Sequence, residues 1–190
     1  MAYATAEQFR LFVRHAGPFT DEETAQAEFL IDLAGACIEE ETGQSLELST
    51  DTVTLDGTGT RKLVLPRWPV TAVASVTVLN DTTDDEVLTE GADHDFTWSA
   101  SGRLTRRCAC WPEGDRNIEV VVTAGLAEIP LSLTRVALRL CVAPWSNPNS
   151  LSAESLGDLS RTYNTATDIG MELSNSDRKL VGAYSARTQG

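Results

Sequence analysis

Apolar and polar residues alternate most regularly between residues 51 and 78. Val53 and Leu55 alternate with threonines, which is the period-2 pattern of a half-buried strand. Asp-Gly-Thr-Gly follows at residues 56–59, and glycine accepts the positive φ that tight hairpins require. Because the alternation then resumes, the pattern predicts a β-hairpin, followed by a further strand over residues 70–78.

More short strands are predicted downstream of this hairpin. Residues 80–91 are polar and acidic, which is typical of a solvated loop or a hairpin tip. Residues 95–98 and 103–107 predict a second hairpin around a Ser-Gly turn. Residues 118–123 are β-branched and apolar on both faces, which indicates a central strand. Strands at this spacing favour an antiparallel sheet or a small sandwich.

Two helices are predicted before the β region. Residues 5–14 predict a short helix, and Thr20 with Glu23 forms the capping box of a longer one that ends at Gly43. A helical repeat of apolar positions predicts the core-facing stripe of the longer helix. That stripe contains Phe29, Leu30, Leu33, Cys37 and Ile38.

A third helix is predicted from Pro130 to about Trp145, because proline fits the first turn of a helix. This segment is apolar nearly all round, apart from Arg135 and Arg139. Such a helix is buried on more than one side, against the rest of the chain or against a neighbouring subunit.

The C-terminal segment is polar and only thinly apolar after residue 163. Ser174 and Asp177 suit the start of a short helix. We expect residues 163–184 to be too polar to pack on their own subunit, and hence mobile or extended in the free protein.

These elements predict an α+β fold, a small helical bundle with an antiparallel β module inserted between the second and third helices and an extended C-terminal arm. The predicted divisions are residues 1–50 for the first helices, 51–126 for the β module, 127–150 for the buried helix, and 151–190 for the linker and arm.

The chain of 190 residues is acidic, with a formal net charge of −13. The acids are concentrated in the first two thirds of the sequence. Such a chain is a poor nucleic-acid binder, because neutralising phosphates needs clustered Lys and Arg. The acidity indicates either simple solubility or a surface that repels passing DNA. No apolar run approaches the roughly 20 residues of a membrane span, and no secretory signal is visible, so we expect reduced thiols.

Catalytic and cofactor motifs are weak. The two histidines, His15 and His94, accompany no G-x-S-x-G nucleophile motif. Cys108 and Cys110 would need two further ligands to hold zinc. Residues 56–62 resemble a phosphate-binding loop superficially, but they lie between predicted strands rather than before a helix. The sequence predicts neither an enzyme nor a cofactor.

Tryptophans leave one alternative function open. Trp68, Trp98 and Trp111 lie in or beside the β module, and aromatic side chains can line a sugar platform. A carbohydrate-binding or other recognition module built on the β region is therefore the alternative to a structural role.

Two stretches resemble a known family. Residues 53–73 read V-T-L-D-G-T-G-T-R-K-L-V-L-P-R-W-P-V-T-A-V, and residues 132–140 read S-L-T-R-V-A-L-R-L. In this order they resemble the head-to-tail connector (adaptor) proteins of long-tailed double-stranded DNA phages. The resemblance covers roughly residues 21–180.

That resemblance implies a structural virion protein of the phage neck. It implies a ring on the portal, dodecameric by family analogy, that lines the DNA channel and lies close to the genome without specific contacts. The implied partners are the portal protein, other copies of the chain, and a downstream neck or tail-completion protein. Assembly in the host bacterial cytoplasm, without a membrane or a cofactor, is expected.

Three groups of candidate interaction residues follow. The arm is expected to reach into the portal through Tyr163, Met171, Leu173, Arg178, Lys179, Leu180 and Tyr184. A possible subunit interface on the third helix contains Arg135, Arg139, Leu140 and Trp145. An acidic surface for the channel or a partner contains Glu39, Glu40 and Glu41.

Overall fold

A computed structural model describes residues 3–80, 84–147, 153–156, 159–162 and 171–186. The chain divides into two compact units. The helical unit contains Met1–Gly43 and Ile129–Ser185, and the β unit contains Gln44–Glu128 and Ala186–Gly190. The predicted α+β fold class is confirmed, because helices and antiparallel sheets occupy different parts of the chain.

Seven strands build the described part of the β unit. They are β1 (Ser49–Gly57), β2 (Lys62–Val64), β3 (Val70–Val78), β4 (Glu86–Leu88), β5 (Phe96–Ser99), β6 (Arg103–Arg106) and β7 (Gly114–Ala124). One antiparallel sheet has the order β1-β7-β3-β4 and a smaller one has the order β2-β6-β5. The predicted central strand is confirmed as β7, in which Val120 and Val122 are buried between two neighbouring strands.

The first predicted hairpin is wrong. Strand β1 pairs with β7, where Val53 lies opposite Val120, whereas β2 pairs with β6, where Leu63 lies opposite Leu104. A period-2 pattern identifies a strand but not its partner, and here both strands pair with distant strands that carry apolar residues in register. The second predicted hairpin is confirmed, because β5 and β6 pair around Gly102, whose φ is 77°.

Four helices and one hairpin make up the described helical unit. They are α1 (Ala6–Phe12), α2 (Asp21–Thr42), α3 (Leu131–Ser146), β8 (Ala153–Leu156), β9 (Leu159–Thr162) and α4 (Asn175–Val181), with a 3₁₀ turn over Gly182–Tyr184. The predicted capping box of α2 is confirmed, because the Thr20 N–H donates to Glu23 over 2.8 Å and the Glu23 N–H donates to Thr20 Oγ1. Gly43 ends the helix in the left-handed conformation.

The predicted core stripe of α2 is only partly right. Leu30 and Ile38 are buried, but the Phe29 side chain is 63% exposed and the Leu33 side chain is 41% exposed. Ile31, Thr42 and small residues supply the rest of the buried face. At one of the small residues, Gly35, an added Cβ would lie 2.9 Å from the Tyr3 ring. Helix α2 is therefore apolar on two sides, and periodicity alone does not say which side is buried.

Within residues 171–186, the prediction that the C-terminal segment cannot pack on its own subunit is wrong. Helix α4 begins at Ser174 as predicted, with Ser174 Oγ accepting from the Asp177 N–H. Leu173, Asp177 and Val181 are all buried. Three inward side chains at a spacing of four suffice to dock this short helix, although the surrounding sequence is polar.

Candidate interaction surfaces

The exposed residues of helix α3 are Leu131, Arg135, Arg139 and Ser146. Arg135 and Arg139 are exposed, whereas Leu140 is only 6% exposed. Leu140 is therefore a core residue, and its predicted place in a subunit interface is wrong, because a side chain already packed in the chain is not available to a partner. The half-buried Trp145 packs edge-on against Phe9, with ring centroids 5.3 Å apart.

The acidic run near the end of α2 is largely engaged within the chain. Glu39 accepts from the Tyr3 hydroxyl over 3.3 Å. Glu41 pairs with Arg178 at 3.4 Å. Glu40 is the exposed member of the run and forms no ion pair within the described residues. Of the three predicted surface acids, Glu40 is thus the exposed one.

An ion pair between a buried acid and an exposed arginine holds α4. The Asp177 carboxylate lies 3.0 Å from Arg139 Nη1, and its side chain is only 5% exposed. Ser174 Oγ donates to the same carboxylate over 2.6 Å. The Arg139 side chain is 47% exposed, so its guanidinium has room for a second partner.

The predicted portal-docking residues have different environments. Leu173 is buried and thus serves α4 packing. Met171, Leu180 and Tyr184 are half-buried, and Arg178 and Lys179 are exposed. Tyr163 lies outside the described residues. The side of α4 that faces solvent is therefore basic.

Large apolar side chains are exposed mainly on the helical unit. Among the described residues of that unit they are Leu11 (61%), Phe12 (42%), Phe29 (63%), Leu33 (41%) and Leu131 (79%). Contiguous exposed apolar residues mark sites of protein association, and Phe29 and Leu33, one turn apart on α2, are neighbours of this kind. The sequence pattern did not identify them as surface residues, because their helical spacing matched a core stripe.

A sequence model of one family, described as "Head completion protein" (HCP), matches residues 3–175. The chain belongs to the head completion protein family. The resemblance to phage head-to-tail connectors that the sequence indicated is thereby confirmed at the level of the family.

Solved structures with a similar fold come from gene transfer agent (GTA) particles. A chain from the "neck of empty GTA particle computed with C6 symmetry" has 18% identity and a TM-score of 0.58, covering 97% of this chain and 91% of that one. A chain from the native neck computed with C12 symmetry has 17% identity and a TM-score of 0.57, with coverage of 97% and 90%. A chain from the native GTA virion has 18% identity and a TM-score of 0.57, with coverage of 97% and 91%. No curated protein matches the chain.

The two cysteines of the helical unit carry thiols with raised pKa values, which lowers their thiolate fraction. Burial raises the pKa of the Cys141 thiol to about 12, and burial also raises the pKa of Cys37. Cys108 and Cys110 are exposed. Within the described ranges, no group of three or more His, Cys, Asp or Glu side chains is arranged to hold a metal ion.

One of the three tryptophans proposed for a sugar platform is not available to a ligand. Trp111 is fully buried, and the Arg106 guanidinium lies 5.5 Å from the centre of its ring. A platform must present the face of its ring to the ligand, which Trp111 does not do. No helix in the described part of the chain has the length and apolar character needed to cross a membrane.

Proposed function

We propose that this chain is a structural subunit of the neck that joins the head of a tailed, phage-like particle to its tail, and that it performs no catalysis. The observation that carries the proposal is the family match over residues 3–175, together with a neck-protein fold that covers 97% of the chain. The exposed apolar groups of the helical unit support it, because an assembly subunit needs surfaces for its neighbours.

Assembly as a ring on the portal is part of the proposal. The similar folds occur in necks computed with C12 or C6 symmetry, and both symmetries describe closed rings. We infer a ring of twelve copies made in the host bacterial cytoplasm, with the portal protein on one side and a downstream neck or tail-completion protein on the other.

The basic side of α4 is the proposed portal contact. Arg178 and Lys179 would meet portal carboxylates, with Met171, Leu180 and Tyr184 beside them and Tyr163 upstream. Leu173 would serve only to keep α4 on its own chain.

Acidity suits a subunit that surrounds a DNA channel. The chain carries a formal net charge of −13, so a DNA phosphate backbone passing close by is repelled rather than held. The exposed Glu40 is the member of the acidic run placed to contribute at a surface. Contact with the genome would thus be close but non-specific.

The test uses tailless, portal-bearing heads made without this protein. Adding the purified chain should place ring-shaped density on the portal vertex in electron micrographs and restore tail attachment. Heads that acquire tails equally well without the chain, or a chain that never binds the vertex, would contradict the proposal.

A matched pair of lysine substitutions tests the α4 contact. Lys179→Glu should lower the fraction of heads that carry the ring, because it reverses the charge on the basic side of α4. Lys62→Glu reverses another exposed lysine on the β unit and should leave that fraction unchanged. Equal occupancy by both variants would remove the portal contact from α4.

A further inference from the structure

Helix α2 carries a second apolar stripe on the side opposite its buried face. Ala25, Phe29, Leu33 and Ala36 are spaced by three or four residues and therefore lie on one side of the helix. Phe29 and Leu33 are the large members, and both are exposed. We call these four residues the α2 stripe.

Acidic side chains border the α2 stripe. Glu22 and Glu40 lie near its two ends, and Asp32 lies along one side. All three are exposed, and none forms an ion pair with any residue that the structure describes. A complementary partner for the stripe would present an exposed apolar side chain with cations beside it.

Helix α3 presents such a surface. Leu131, Arg135 and Arg139 are spaced by four residues, so they share one side of the helix, which we call the α3 stripe. Leu131 is 79% exposed, the highest value among the large apolar side chains of the described chain. Arg135 is exposed and has no ion-pair partner in the described ranges. The exposed side of α3 contains no acid.

We propose that the α2 stripe of one copy docks on the α3 stripe of a second copy, and this proposal rests on the ring proposed above. Phe29 would pack against Leu131, and Arg135 would pair with Asp32, the bordering acid that lies about one turn from Phe29. Pairing α2 with α2, or α3 with α3, would bring like charges together, which disfavours a symmetric interface. Because two different surfaces meet, a growing assembly always ends in one free α2 stripe and one free α3 stripe. The contact therefore repeats until a ring closes.

The anchors have the character of known interface centres. Aromatic side chains and arginine are enriched at protein interfaces, and Phe29 and Arg135 supply one of each. The small side chains of Ala25 and Ala36 allow the partner helix to approach α2 closely.

Cysteine cross-linking tests the pairing directly. The background carries Cys108→Ser and Cys110→Ser, which removes the two exposed thiols and leaves Cys37 half-buried and Cys141 buried. Phe29→Cys and Leu131→Cys are made in separate chains, mixed in equal amounts, assembled on tailless heads and treated with a short bis-maleimide. The expected product is a cross-linked dimer in the mixture that is absent when either variant is assembled alone.

A chain that carries both cysteines should give a ladder of cross-linked species up to the full ring. The matched control pairs Phe29→Cys with Val87→Cys, since Val87 is a 69% exposed apolar residue of the β unit. That pair should give no dimer. Equal cross-linking of the control pair, or a dimer from Phe29→Cys alone, would overturn the proposal in favour of random contact or symmetric α2 packing.

The wild-type chain, imaged in parallel, separates this proposal from the proposed function. If it forms no ring on the portal vertex, the function fails. If it forms the ring but the Phe29 and Leu131 cysteines do not cross-link, the function stands and the α2–α3 contact is wrong.

A charge reversal tests the contact a second way. Arg135→Glu should lower ring occupancy at least about tenfold, while Lys62→Glu leaves it unchanged. Equal occupancy would remove Arg135 from the contact.

Discussion

The two units of this protein treat their apolar residues differently. The β unit collects thirteen buried residues, among them Trp111 and Phe96, into one core cluster. In its described part, Leu48 and Val87 are the large apolar side chains left exposed. The described part of the helical unit leaves five exposed, two on α1, two on α2 and one at the start of α3. The β unit thus completes its own core, whereas the helical unit retains exposed apolar surface that is available to a partner.

The largest loss of stability is expected for a substitution in the core of the β unit. Ile118 is fully buried on the central strand β7, between Leu55 of β1 and Val78 of β3. Ile118→Ala should lower the free energy of unfolding by about 2–5 kcal/mol, because it removes buried methyl groups and leaves a cavity. Urea unfolding followed by circular dichroism measures the loss.

The exposed Val87 is the matched control for that measurement. Val87→Ala removes apolar atoms from the edge strand β4 and should change the free energy of unfolding by no more than about 0.5 kcal/mol. If both variants lowered the free energy of unfolding by a similar amount, Ile118 would not be a core residue of the β unit.

An intermediate effect is expected at α4. Asp177→Ala removes the buried partner of Arg139 and the acceptor of the Ser174 hydroxyl. Because Arg139 is half-exposed and can be solvated again, the cost should be about 1–3 kcal/mol rather than that of a fully buried pair. Thermal unfolding should show the loss, and the exposed Glu172→Ala should not. Identical curves for the two variants would show that α4 does not stabilise the helical unit.

Elements fixed by sequence neighbours could be predicted from the sequence. The capping box of α2 depends on Thr20 and Glu23, which are three positions apart, and its glycine stop depends on Gly43 alone. All three were therefore predicted correctly. The start of α4 at Ser174 was predicted for the same reason. Strand β7 was predicted because its β-branched run is apolar on both faces.

Features that depend on distant residues were missed. Strands β1 and β7 are separated by some sixty residues, as in the pairing of Leu55 with Ile118, and the alternation of a strand is the same whichever partner it has. The Arg67 guanidinium donates to the backbone carbonyls of Ser45 and Glu47 and pairs with Asp51, and no local signal marks these contacts. Burial of a charged residue such as Asp177 is equally invisible, because acids are normally exposed.

The smallest loss of stability is expected for Leu33→Ala on α2, at a position that the sequence pattern assigned to the core and the structure leaves exposed. Leu30 and Leu33 are three residues apart on α2, and the sequence pattern assigned both to the core, yet Leu30 is 8% exposed and Leu33 is 41% exposed. Leu30→Ala should cost about 2–5 kcal/mol, the usual range for a buried leucine. Leu33→Ala should cost less than about 1 kcal/mol in the free chain, because much of its side chain is already in water. On tailless heads, however, Leu33→Ala should reduce ring occupancy, since Leu33 belongs to the α2 stripe. A Leu33→Ala chain that unfolds as readily as Leu30→Ala would place both leucines in one core, and the contrast between the two units would lose its main support.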